Sequence, residues 1–366
     1  MRPILKDIDE DWEIWDVFRP QFETDVIKDC LLFGVKTMFT KVIFPFANLL
    51  SVFILTRYLP GYSSIWGIYV IADMIGGLSG TFIFDITSSF SEAYNNGKIK
   101  LAQDYIARVY KWTGLLGGAM VGLMWGIAPL FGVVAGEQFA SAVPMMRGVM
   151  LFKMMEAIIK YHDRIFQGSG KPEYNILVLG VEQAARIGFL YLFLIPLPMS
   201  GMSIVLSRGL GWVIKWFVSY WLIEKKVIEI RINIWQTVVA PLIPTLIEIL
   251  FISSLVNWVY PLLTPLVNEI FAVVIIAIAS LIIGTFMIWF PLYGYFGGWD
   301  EYSLNILRKA KKISGPSKPL VELLLRISTL LTERSPFHER FAIDSEGLDE
   351  DIKDLAETRR KHISME

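Results

Sequence analysis

Along this chain, long apolar runs alternate with short polar breaks. Residues 112–134 carry no charged side chain, and neither do residues 270–297. A helix needs about 20 mostly apolar residues to cross a bilayer core, so runs of this length predict membrane spans and not the core helices of a globular domain. About eight such spans can be read: 31–56, 64–90, 113–135, 139–159, 174–198, 202–223, 233–258 and 269–297. Turn chemistry separates them. Pro60-Gly61 follows the first, Asn95-Asn96-Gly97 the second, and Gly168-Ser169-Gly170-Lys171-Pro172 the fourth. The Pro196–Gly201 link is very short, which makes the fifth and sixth spans antiparallel neighbours. The fold class predicted is all-α, a polytopic transmembrane helical bundle.

The polar flanks complete the division. Residues 1–30 mix acids with Trp12, Trp15, Phe18 and Phe22 and predict an amphipathic helix at the membrane interface. Residues 31–297 form the transmembrane domain. Residues 298–366 predict a cytoplasmic helical tail, with Leu320, Leu323, Leu324, Ile327 and Leu331 at helical spacing. Sidedness follows from lysine and arginine in the loops. With the N-terminus in the cytoplasm, the basic residues outside the spans fall on the cytoplasmic side, and Arg57 alone falls opposite. Both termini are therefore expected in the cytoplasm, with the plasma membrane as the expected location.

Composition adds exclusions. The chain has 366 residues, 54% hydrophobic, a mean hydropathy of +0.51 and a net charge of −1. That balance gives no basic field for nucleic acid. Cys30 is the only cysteine, so no intrachain disulfide forms, and the three histidines are too scattered to suggest a metal site. No P-loop in a βαβ setting, GxSxG or HExxH motif occurs, so neither an enzyme nor a cofactor is expected.

Ionisable groups inside the spans are the candidate chemistry, because charge at membrane depth is costly and faces a bundle interior or a wet cavity. Lys36, Lys215 and Glu269 lie near span ends, where a side chain can snorkel to water. Lys41, Arg147, Lys153 and Arg208 are candidate ligands for an anionic substrate, since a cation in a water-filled cleft gains most from phosphate or carboxylate. Asp73 and Glu156 are candidates to neutralise them or to bind a coupling ion, and Glu182 and Arg186, one turn apart, suggest a local ion pair. Lys153, Glu156 and Lys160 share one helix face. A polar interior between the first, second and fourth spans would gather most of these groups. The plainer reading is a set of buried interhelical ion pairs.

Ser91-Glu92-Ala93-Tyr94-Asn95-Asn96-Gly97-Lys98 resembles the cytoplasmic loop after the second helix of a lobe in polysaccharide-type flippases. These belong to the multidrug/oligosaccharidyl-lipid/polysaccharide (MOP) exporter superfamily. Phe166-Gln167-Gly168-Ser169-Gly170-Lys171-Pro172, followed by an apolar helix with Glu182, is similar to the connection between the fourth and fifth helices of such a lobe. The resemblance covers residues 30–223. It implies one six-helix flippase-like lobe plus two extra helices, standing like the C-terminal lobe of a larger transporter. The function it implies is movement of a lipid-linked oligosaccharide or a similar anionic amphiphile across the membrane. A second wall would come from a homodimer or from a hetero-oligomeric partner lobe, and the partners would be membrane lipids and the lipid-linked anion. Two other readings stay open: a membrane scaffold that recruits partners through its tail, and an ion-coupled efflux subunit that relies on Asp73 and Glu156.

Overall fold

The computed structural model describes residues 24–80, 86–343 and 347–365, and among these there is no strand. The helices are α1 (Thr24–Tyr58), α2 (Tyr62–Gly76), α3 (Thr87–Asn95), α4 (Ile99–Ala135), α5 (Ala142–Gly168), α6 (Glu173–Leu194), α7 (Met202–Lys226), α8 (Trp235–Leu263), α9 (Glu269–Tyr295), α10 (Glu301–Ile313), α11 (Lys318–Glu333) and α12 (Leu348–Met365). The interfacial helix expected within residues 1–30 falls mostly outside the described residues.

Every predicted span contains a helix, but only five of them, α1, α4, α6, α8 and α9, are long and apolar enough to cross a membrane by themselves. The other three have physical reasons to differ. Within the predicted span 64–90, α2 tightens into a 3-10 turn at Gly77–Gly80, residues 81–85 lie outside the described residues, and α3 begins at Thr87. Helices α5 and α7 have ample length but carry the charged groups described below. α5 also runs to Gly168, more than two turns beyond its predicted end, because His162 and Ile165 continue its buried face.

Helices α1, α6, α7 and α5 pack side by side, with α2 against α5; α4 lies against α5 and carries α8 and α9 on its far side. A stripe of glycines makes the α4–α8 seam. A Cβ on Gly114 would lie 2.1 Å from the Thr237 carbonyl oxygen; on Gly118, 3.0 Å from Thr245 Oγ1; on Gly122, 2.1 Å from Glu248 Oε2; on Gly126, 2.5 Å from Ile252 Cβ. Glycine at every fourth residue clears one face of α4, so the backbone of α8 comes into direct contact, as small residues allow in membrane bundles. Helices α8 and α9 also widen into π-helical turns at Trp235–Val239, Leu255–Val259 and Ser280–Trp289. Each ends two residues before a proline: Pro241, Pro261 and Pro291. A proline ring clashes with the carbonyl four residues back, and the wider turn makes room for it.

The tail folds back onto the bundle. Trp299 is fully buried against Tyr293 and Phe290 of α9, and Leu304, Leu324 and Leu325 join the same cluster. Asp300 caps α10 by accepting from the Ser303 amide at 2.9 Å, and it pairs with Lys111 of α4 at 2.6 Å. Helix α12 returns to α3 and α4, where Leu348 and Leu355 are buried and Lys98 meets Asp351 and Asp354.

Candidate functional site

Charges within the bundle form a network of two neighbouring ion-pair clusters, held by faces of α2, α5, α6 and α7. On α7, Arg208, Trp212, Lys215 and Ser219 follow one another at three- and four-residue spacing and share a stripe. On α5 the matching residues are Lys153, Glu156, Lys160 and Asp163, and on α6 they are Glu182 and Arg186. Two glycines bring these helices within reach. Phe152 of α5 packs where a Cβ on Gly209 would sit 2.2 Å from its ring, and Gly211 faces Arg186 and the Glu182 backbone of α6.

Lys153 lies 2.5 Å from Glu156 and 3.2 Å from Asp73 of α2. Asp73 also faces Arg208 at 3.6 Å, while the Arg208 guanidinium donates to the Tyr69 hydroxyl at 2.7 Å. Lys160 reaches Glu156 at 3.1 Å. Lys215 bridges Asp163 at 3.1 Å and Glu182 at 3.3 Å, and Gln183 donates to Glu182 at 2.9 Å. Trp212 lies between Lys153 and Arg208, with the cations 5.2 and 5.3 Å from its ring centroid. Beside Lys215, His162 joins Tyr110 of α4 to Ser219 of α7 in a wholly buried chain.

Thus Lys153, Lys160, Arg208 and Lys215 each meet a carboxylate. Arg186 does not. Among the described residues it donates to Ser51 of α1 at 3.4 Å, its Nε has no hydrogen-bond partner, and its guanidinium lies 5.5 Å over the Phe44 ring. Arg186 and Arg208 together border a cavity of about 40 Å³ between α1, α2, α6 and α7, lined also by Asn48, Ser51, Trp66, Tyr69 and Ser207. That volume holds about one to three waters, so in this state the cavity is too small for a sugar or a phosphoryl headgroup. Its lining is amphipathic: Leu55, Leu190 and Ile204 stand beside hydroxyls, an amide, aromatic faces and the two guanidinium groups.

The sequence-predicted residues are therefore only partly brought together. Lys153, Glu156, Asp73 and Arg208 share the network, and the common face of Lys153, Glu156 and Lys160 is realised as a ladder through Glu156. Lys41 stands exposed on α1, apart from these groups. Arg147 lies over the Trp125 ring of α4 at 5.5 Å and takes no part in the network. Glu182 turns to Lys215 and not to Arg186, because Lys215 offers an ammonium in the narrow gap between α6 and α7. The ion pairs thus lie among the second, fourth, fifth and sixth predicted spans and not the first, second and fourth alone; the first span contributes Asn48 and Ser51 to the cavity. Sequence reasoning missed Lys215 and Asp163. Lys215 was assigned to the membrane surface and Asp163 to a loop, yet they share the ladder spacing of their helices with Arg208 and Glu156.

No model of a known protein family matches this chain. No curated protein matches it either. Among solved structures, a MOP superfamily transporter from Pyrococcus furiosus Vc1 aligns over 83% of this chain and 79% of that one, with 14% sequence identity and a TM-score of 0.44.

Proposed function

We propose that this protein is a flippase-like transporter subunit that moves an anionic amphiphile, such as a lipid-linked oligosaccharide precursor, across the membrane. The observation that carries the proposal is Arg186: a guanidinium within the bundle that forms no close ion pair, has an unpartnered Nε and borders a small amphipathic cavity together with Arg208. A purely structural set of ion pairs would leave no cation over, since an uncompensated buried charge costs about 3–5 kcal/mol. An anionic headgroup entering between α1, α2, α6 and α7 removes that cost, and a phosphate accepts well from two guanidinium forks. The small cavity fits a contracted state, from which substrate gains entry as the helices part. Lys153, held by Asp73 and Glu156, becomes a reserve cation that releases its partners when the anion arrives.

The second wall of the transport path would come from another copy or a partner lobe, and the exposed Lys41 on α1 would meet the substrate there. An efflux site for cations is less well supported, because Asp73 and Glu156 are already occupied by Lys153, Lys160 and Arg208. The test is flipping of a short-chain polyprenyl-diphosphate sugar in proteoliposomes, alongside the mass of the solubilised complex. Transport by the wild type and its loss in Arg186→Gln and Arg208→Gln variants that still insert is expected. Equal transport by those variants refutes the assignment.

A further inference from the structure

The α10–α11 hairpin presents a second cationic feature that the transport reading does not use. Arg308, Lys311 and Lys312 near the end of α10 and Lys318 at the start of α11 surround one concavity of about 310 Å³, floored in part by Leu325. We propose that this groove binds the headgroups of anionic phospholipids in the leaflet beside it.

Position supports the assignment. Five residues separate the end of α9 at Tyr295 from the start of α10, and Asp300, which caps α10, is held by Lys111 of α4. Helix α11 crosses the last turn of α9, where a Cβ on Gly294 would meet Thr332 Oγ1 at 2.4 Å and the Ser328 carbonyl oxygen at 3.4 Å. The hairpin is thus packed against the membrane-end turns of α9, its apolar residues Leu304, Leu324 and Leu325 inward. Charge gives the second support. Arg308 pairs with Glu301 and Lys311 with Glu322, both exposed. Among the described residues no carboxylate lies within ion-pair distance of Lys312 or Lys318. Lys318 also opposes the dipole of the helix it opens, and Glu322, one turn further on, is already held by Lys311. A scatter of basic residues at a span end orients a membrane protein, but four cations around a single groove beside the end of a membrane-length helix match a phosphodiester.

The proposal is independent of the transport function and is tested on the full chain in nanodiscs of equal phosphatidylglycerol and phosphatidylcholine, with native mass spectrometry counting retained lipid. Near an anionic surface each basic residue adds severalfold to binding, so the wild type should retain phosphatidylglycerol about tenfold over phosphatidylcholine. The combined variant Arg308→Gln, Lys311→Gln, Lys312→Gln, Lys318→Gln should lose most of that preference, and Lys311→Arg, Lys312→Arg, Lys318→Arg should keep it. These side chains are at the surface, and circular dichroism confirms that each variant is folded. A preference unchanged in the glutamine variant overturns the proposal. So does displacement of the bound phosphatidylglycerol by millimolar inorganic phosphate, which would assign the groove to soluble anions.

Discussion

Replacing Gly114 by alanine tests the packing that joins the last two spans to the rest of the bundle. The new Cβ would lie 2.1 Å from the Thr237 carbonyl oxygen, where contacts below 3.0 Å essentially do not occur. The seam must therefore open by about 1 Å, and because the obstacle is backbone, no rotamer change relieves it. Overpacking of this kind costs about 1–3 kcal/mol, here at the upper end. Gly188 on α6 is the control, since nothing lies within 4 Å of its Cβ position, and alanine there gains up to about 1 kcal/mol of helix propensity. Gly122 is intermediate, because its Cβ would meet the Glu248 carboxylate, which can rotate. Thermal unfolding in one detergent, followed by fluorescence-detected size exclusion, should rank the melting midpoints Gly188→Ala above Gly122→Ala above Gly114→Ala. If Gly114→Ala melts with Gly188→Ala, the glycine seam does not hold α8 as described.

Three further outcomes follow from ion pairs and tail contacts. Asp300→Asn keeps the α10 cap but strands the buried Lys111 ammonium, which should cost about 3–5 kcal/mol; the double variant with Lys111→Met should recover most of it in the same unfolding assay. Burial works to raise the Asp300 carboxyl, yet the charge and hydrogen bond of Lys111 outweigh it and hold the group below the usual carboxylate range. The stability it contributes is therefore fully present above that range and is lost as pH falls through the lowered folded value, so wild type but not the double variant should show this acid-dependent step. Leu355→Asp should release α12 from Phe90, Leu101 and Ile230, seen as faster limited proteolysis after residue 343 with the rest of the chain protected.

Much of the fold was legible because a bilayer imposes its length on the sequence: apolar runs such as 270–297 and the proline and glycine breaks place the helices. The π-helical turns were not legible, since a proline two residues beyond permits several ways of moving one carbonyl. The glycine stripe was present in the sequence as Gly114, Gly118, Gly122 and Gly126, but only the position of α8 shows that this face is a seam. At the site, the Lys153–Glu156–Lys160 ladder is local to one helix and could be read from spacing. The partners of Lys215 and Arg186 come from other helices, so spacing along α6 suggested a Glu182–Arg186 pair that α7 displaces. Depth misled as well: Lys215 lies near the polar end of its span, yet it is buried between two carboxylates and not snorkelling to water.

The central claim is that water and anions reach the cavity bordered by Arg186 and Arg208. Its most direct test places one thiol in the lining, Ser207→Cys in a Cys30→Ser background, and compares modification rates by negatively and positively charged methanethiosulfonates of similar size in membranes. Faster reaction with the anionic reagent, abolished by Arg186→Gln with Arg208→Gln, is the result expected. Faster reaction with the cationic reagent, or no reaction with either while an exposed control at Ser63→Cys reacts, would contradict an anion-accepting cavity.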